Sequence, residues 1–183
     1  MELMKNMTSL DLNKSKIVEV NDVSFQTQIQ SIIPTPLLPC TNKFVTLGIY
    51  ITNNTSNCLY FERLDSLSQL PILIDCRGNL IEIDSDMLRL RVKGNPYYLV
   101  APGESSFFKL ESFIWRMFCK LHLKIYNEAG GFFHFYDLKP GKYKLQISYK
   151  RTDHRQTLLP KESPLAVAWI GDVTIPFVDF CIA

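Results

Sequence analysis

The sequence predicts an all-β fold, an antiparallel β-sandwich of about nine to eleven short strands. Three observations carry that expectation. Alternation of apolar and polar residues recurs along the chain, while no segment longer than about ten residues keeps a helical period. Turn signals rich in Gly, Pro, Asn and Asp separate the alternating runs. The 183 residues are 46% hydrophobic and 12% aromatic, enough to fill the space between two sheets. A domain of this length buries roughly 70% of the surface its unfolded chain exposes, so it needs no disulfide or structural metal.

Taken in order, residues 1–22 read as a polar N-terminal segment, and residues 23–183 as a single sandwich domain. From Val23 the apolar residues Val23, Phe25, Ile29 and Ile33 fall on odd positions, which buries one face and wets the other. Residues 31–42 form a Pro-rich crossing in which Pro34, Pro36 and Pro39 remove backbone donors; it wraps the domain or crosses between sheets. Phe44 to Thr52 alternates again and ends at the turn cluster Asn53 to Asn57. Leu59 to Glu62 resumes the pattern. Pro71 to Asp75 and Leu80 to Ile83 flank Cys76-Arg77-Gly78-Asn79 as a hairpin. Met87 to Val92 is the next strand.

Two later strands each follow a Pro-Gly pair, Pro102-Gly103 before Phe107 to Trp115 and Pro140-Gly141 before Tyr143 to Tyr149. Pro sets φ at the second position and Gly accepts positive φ at the third, so each predicts a type II turn. In Phe107 to Met117 both parities are apolar, as in a strand buried on two faces or one carrying a bulge. Leu121 to Tyr126 and Phe132 to Tyr136 form a hairpin. In the last strand, from Val173, Pro176 cannot donate to a ladder, so the strand lies at an edge or bends there.

The charges nearly cancel, at +2 overall, which argues against a dedicated nucleic-acid binder. No apolar run near the start is long enough for a secretory signal, and none reaches the roughly 18 residues of a membrane span. Five cysteines, an odd number, fit free thiols in a reducing compartment, mostly as small core residues. The expectation is a cytoplasmic protein that engages neither nucleic acid nor membrane.

The search for catalytic chemistry is largely negative. The chain has no P-loop, G-x-G-x-x-G, H-E-x-x-H, G-x-S-x-G or C-x-x-C motif. Cys119 and His122 are three apart, and on a strand such residues point to opposite faces, so the thiol does not meet the imidazole. His134 and Asp137 meet the same objection, and His154 reads as a solvated loop residue. Glu82, Asp84 and Asp86 share a strand face, but the stretch lacks the Gly and turning backbone of a calcium loop. No catalytic residue, cofactor or metal ligand is predicted.

Charge placement is more informative. Lys139 to Lys161 holds seven Lys and Arg and one acid. Lys142 and Lys144 share one face of their strand, and Arg89, Arg91 and Lys93 share one face of theirs. These five residues are the candidate partner-binding basic face, set against the plainer reading of solvated faces that discourage edge aggregation. The aromatics concentrate in Phe107 to Phe118 and Phe132 to Tyr136; most are expected to fill the core, and any exposed fraction would mark a binding face.

Four stretches support a resemblance. Ile51-Thr52-Asn53-Asn54 with Leu59-Tyr60-Phe61, Ile74 to Asn79, Val100 to Ser105 and Leu138 to Tyr143 together resemble the layout of bacterial Ig-like sandwiches. They are similar in particular to the bacterial intracellular proteinase inhibitor (BsuPI-like) domains, over about residues 43–149. The resemblance implies an Ig-like sandwich that acts through loops at one end, without a cofactor, as an inhibitor of a cytoplasmic serine protease. It assigns no inhibitory residue. The leading expectation is thus a non-enzymatic protein-interaction module with a protein partner. The alternative is a structural or assembly component that pairs through the Pro176 strand or the Pro-rich segment.

Overall fold

The computed structural model describes residues 11–62, 71–86, 97–126, 131–151 and 166–183. Among the described residues there are seventeen strands and no helix. In chain order the first six are β1 (Leu12–Lys14), β2 (Val18–Val20), β3 (Val23–Gln30), β4 (Ile32–Ile33), β5 (Asn42–Asn53) and β6 (Leu59–Glu62). Then come β7 (Ile72–Asp75), β8 (Ile83–Asp86), β9 (Tyr97–Val100), β10 (Ser105–Met117), β11 (Lys120–Tyr126) and β12 (Phe132–Leu138). The last are β13 (Gly141–Gln146), β14 (Ser148–Arg151), β15 (Val167–Ala168), β16 (Gly171–Thr174) and β17 (Val178–Ile182).

The largest sheet has eight strands in the order β1-β3-β5-β10-β11-β12-β8, with β2 also paired to β3. A four-stranded sheet runs β4-β17-β13-β7, and β14-β16 and β15-β6-β9 form two smaller ones. All pairings are antiparallel except β4 with β17 and β15 with β6.

Seventeen strands exceed the nine to eleven expected, for two reasons. Part of the polar N-terminal segment pairs with β3 as β1 and β2. Long strands are also interrupted and counted twice. Between the pairs Leu145–Val178 and Ser148–Thr174, residues 175–177 oppose only 146–147. That extra residue is a bulge, and it takes up Pro176, which has no N–H for the ladder. The strand therefore bends at Pro176; past the bend β17 is no edge, because it lies between β4 and β13, whereas β16 before it pairs with β14 alone.

The Pro-rich segment crosses between sheets. After β3 the chain leaves the largest sheet, Ile32 and Ile33 pair with Cys181 and Ile182, and Thr35 N–H donates to Ala183 O at 2.6 Å. At Asn42 it rejoins the largest sheet as β5. The 71–83 segment also differs from a simple hairpin. The turn closes as expected, with Gly78 at φ +85° and backbone bonds from Asp75 N–H to Asn79 O and from Ile81 N–H to Leu73 O, but the arms then part: β7 pairs with β13, and β8 pairs with β12 in the other large sheet. None of the five cysteines is buried and none is bonded to another. They were expected mostly in the core, but bulkier aliphatic and aromatic side chains fill it.

One hydrophobic cluster takes residues from all four sheets. At its centre Phe25, Phe61, Tyr149 and Trp169 meet ring to ring, with Phe25–Trp169 at 5.0 Å and Tyr149–Trp169 at 5.5 Å. Each ring comes from a different part of the chain, so the cluster ties β3, β6, β14 and the end of β15 together. Such rings contribute through buried area and through their edge-to-face or offset geometry.

Two polar knots close the ends of strands. Asn53 is fully buried at the end of β5. Its Nδ2 donates to Asn57 O and Val100 O, at 2.8 and 2.9 Å, and its Oδ1 accepts from Thr55 N and Oγ1. Its backbone bonds both sides of the Pro102-Gly103 turn, through Glu104 O and Gly103 N. Gly103 lies at φ +75° and Glu104 N–H donates to Ala101 O, the type II turn expected there. The second Pro-Gly pair differs. Gly141 lies at φ +153°, far from the roughly +80° of that turn. Instead the Tyr143 hydroxyl closes the corner, donating to Lys139 O at 2.8 Å and accepting from Lys139 N at 3.0 Å.

Asn53→Ala strands several buried polar groups at once, each costing about 1–3 kcal/mol when left unpaired. The expected loss is about 3 kcal/mol or more in urea unfolding. The exposed neighbour Asn54→Ala should lose less than about 1 kcal/mol.

Candidate functional site

Strands β10, β11 and β12 are apolar on both faces. Toward the core they present Phe108, Leu110 and Ile114, then Leu123 and Ile125, then Phe133 and Phe135. The alternate positions, pointing away from that core, are Phe107, Phe113 and Trp115, then His122, Lys124 and Tyr126, then Phe132, His134 and Tyr136. The mixed parity seen in Phe107 to Met117 is thus a strand with apolar side chains on two faces. The register is long and continuous, with β10 matching β5 from Ser105–Thr52 to Trp115–Asn42. It sets Phe113 opposite Phe44 and Phe107 opposite Tyr50. Gly48 makes this packing feasible, because the Phe107 ring lies 2.6 Å from where a Cβ would stand.

The outward rings touch in a row across four strands. Phe44 meets Phe113 at 6.0 Å, Phe113 meets Tyr126 at 5.0 Å, and Tyr126 meets Phe132 at 5.9 Å. Beside them Trp115 stacks on His122 at 5.0 Å and contacts His134 at 4.6 Å. His134 lies 3.6 Å from Tyr136, whose hydroxyl donates to Asp84 Oδ2 at 2.8 Å. Lys124 joins the two groups. Its Nζ is 3.3 Å from the centre of Phe132, 5.2 Å from Tyr126 and 6.0 Å from Trp115, a cation held over three π faces.

The two histidines form a neutral pair. His122 is only 2% exposed, and its Nδ1 lies 3.2 Å from His134 Nε2, so one ring donates and the other accepts. Burial first, then His122 and Lys124, hold His134 down at about 4, against the opposing pull of Asp84. Burial likewise lowers His122. Burial, with the bond to Asp84, raises the Tyr136 phenol.

A cleft of about 230 Å³ opens at one end of this face, lined by Cys40, Asn42, Phe113, Trp115, Lys124 and Tyr126. Cys40 N–H donates to Arg116 O and Arg116 N–H to Thr41 O, which lays the 38–41 segment alongside β10. Leu37 and Leu38 precede Cys40 in the chain, and Met117 and Phe118 follow Trp115 and Arg116. Both pairs are exposed, with Leu37 at 83% and Phe118 at 81%, and Phe44 at the cleft edge is 73% exposed.

The residues singled out from sequence fall elsewhere. Arg89, Arg91 and Lys93 lie outside the described residues, as does His154. Lys142 and Lys144 point outward from β13 in the four-stranded sheet, where Lys144 faces Asp179 at 3.9 Å. Lys150 pairs with Asp172 at 2.5 Å, and Arg151 is buried over the Tyr97 ring. Cys119 sits exposed beside the β10–β11 turn, and Asp137 pairs with Lys120 at 2.7 Å. Among the described residues no group of three His, Cys, Asp or Glu is placed to hold a metal. The histidine pair and the aromatic row were missed in the sequence; their signal was the period-two spacing of 122-124-126 and 132-134-136. No helix among the described residues is long and apolar enough to cross a membrane.

The chain is therefore an all-β protein with antiparallel sheets, one of which carries an aromatic outer face. Comparison with protein families, curated proteins and solved structures finds no match to it.

The lowered histidines set a sign for pH dependence. In the unfolded chain a histidine takes up its proton near 6.5, whereas folded His134 does so only near 4. Between these values the unfolded state binds more protons, so acidification from pH 6.5 to 4 destabilises the fold. Thermal melting across that range should show Tm falling, with a shallower slope in His134→Gln. Equal slopes would contradict the assignment.

Proposed function

We propose that the protein is an Ig-like β-sandwich serving as a non-enzymatic protein-interaction module. It binds its partner through the outer face of β5, β10, β11 and β12 and the tip beside it. The sandwich reading draws on two features. A single core is shared by the two larger sheets. The Tyr143 hydroxyl bonds back to Lys139 at the start of β13, as the tyrosine corner of Ig-type domains does.

The observation that carries the binding reading is the exposed apolar tip. Leu37, Leu38, Met117 and Phe118 stand in water next to a cleft walled by aromatic rings. Scattered surface apolar residues are ordinary, but here four exposed ones lie close in the chain to the cleft-lining Cys40 and Trp115, as at an interaction site. Large aromatic and aliphatic side chains of this kind dominate binding energy in protein interfaces. Histidines lowered by burial are poor proton acceptors at neutral pH, which favours binding over catalysis for this face. The bacterial inhibitor resemblance extends the proposal to inhibition of a cytoplasmic serine protease.

The paired substitution Leu38→Ser with Phe118→Ser tests the reading. Both side chains are exposed, so the melting temperature should hardly change. Recovery of a co-purifying protein on immobilised protein should fall at least about tenfold, as expected when two anchor residues are lost. Equal recovery by both forms would contradict the proposal. For the inhibitory extension, the parent protein should suppress a subtilisin-like protease and the double variant should not.

A further inference from the structure

The interaction reading leaves open what chemistry the cleft takes, and Lys124 bears on it. Among the described residues no carboxylate pairs with its ammonium group, whose neighbours are the rings of Phe132, Tyr126 and Trp115. Two neighbouring carboxylates are committed elsewhere. Asp84 accepts from Tyr136, and Asp137 pairs with Lys120. Glu111 lies on the same face but on the far side of Phe113 from Trp115. Both histidines are neutral near pH 7 because burial lowers them. The cleft thus combines aromatic walls with one cation that no described carboxylate pairs.

Resting on the interaction reading, we propose that the cleft binds an extended acidic segment of another protein, in which a large apolar side chain stands beside an Asp or Glu. The apolar side chain enters between Phe113, Trp115 and Tyr126, and the carboxylate meets Lys124 Nζ at the wall. The size fits such an anchor. At about 230 Å³ the cleft is smaller than the roughly 300–1,000 Å³ of small-molecule and cofactor sites. A polyanion such as nucleic acid needs a row of cations, whereas this cleft holds a single one. A carboxylate suits a half-buried ammonium because a charge-assisted hydrogen bond is about twice as strong as a neutral one. The exposed Leu37, Leu38 and Phe118 extend the apolar contact beyond the cleft.

The test is selection from a random heptapeptide display library on the intact protein, followed by fluorescence anisotropy with synthetic peptides. The expected winners carry an aromatic or large aliphatic residue next to Asp or Glu. Lys124→Met keeps the aliphatic stem and should weaken them about tenfold, while Lys124→Arg should retain most of the affinity. Replacing the peptide carboxylate by its amide should cost a similar factor against the parent and almost nothing against Lys124→Met. A purely structural role for Lys124 would not produce that coupling.

Peptides that need Leu38 and Phe118 but are neutral or basic, or ignore Lys124→Met, would overturn the acidic-segment proposal and leave the interaction module standing. Peptides indifferent to the Leu38→Ser, Phe118→Ser pair would overturn both. A dimer by light scattering that the same pair abolishes would make a second copy the occupant and overturn the acidic-segment proposal.

Discussion

A β-sheet has two faces, and a strand with large apolar side chains at both alternating sets of positions asks for cover on both. Strands β10, β11 and β12 make that demand, and the common core answers it on one side only. On the other side the rings of Phe44, Phe113, Tyr126 and Phe132 cover one another edge to face and at tilted angles, and Trp115 packs on His122 and His134. This mutual cover is partial. It buries His122 almost completely, yet leaves a cleft and an exposed tip at the end where the crossing rejoins the sheet.

The inner side is what holds that outer face in register. The four rings Phe25, Phe61, Tyr149 and Trp169 join distant strands, so sliding one sheet past the other would break several ring contacts together. Asn53 fixes the end of β5 to the turn that launches β10. Register follows from that junction, and a slip of one residue would turn Phe113 and Trp115 inward. Placement of the outward residues therefore depends on polar and aromatic contacts far from them. The cleft has a further tether, since the returning crossing supplies Cys40 and Asn42 and is held to Arg116 by backbone bonds.

Much of the strand content was legible because period-two alternation is a local signal. Phe44 to Thr52, Leu121 to Tyr126 and Phe132 to Tyr136 fall within β5, β11 and β12, and the Pro102-Gly103 turn has the type expected. Features that depend on register or on distant partners were not legible. Nothing in the spacing of Cys76 to Asn79 says that one arm joins β13 and the other β12. The start of the chain is polar by composition, yet it supplies two short strands whose backbone groups β3 satisfies. Pro176 offered an edge or a bend, and only the bulge opposite Ile147 decides between them. The candidate site was hidden for the same reason. His122 and His134 lie twelve residues apart, and only the β11–β12 pairing, with its irregularity between Leu121 and Leu123, brings their nitrogens together. Of the candidate basic face only Lys142 and Lys144 lie among the described residues, and the nearness of Lys144 to Asp179 depends on the β13–β17 pairing, which charge patterning does not carry.

The protein's two tryptophans allow a direct test of the claim that the outer face of the largest sheet is the binding surface. Trp115 lines the cleft on that face, and Trp169 is buried in the shared core. The measurement is a two-dimensional ¹⁵N–¹H spectrum of the labelled protein with and without a bound peptide ligand. The account predicts a shifted or broadened Trp115 indole signal, with neighbouring β10 and β11 amides, while the Trp169 indole stays in place. Perturbation centred on β13 and β17, with the Trp115 indole unmoved, would contradict it.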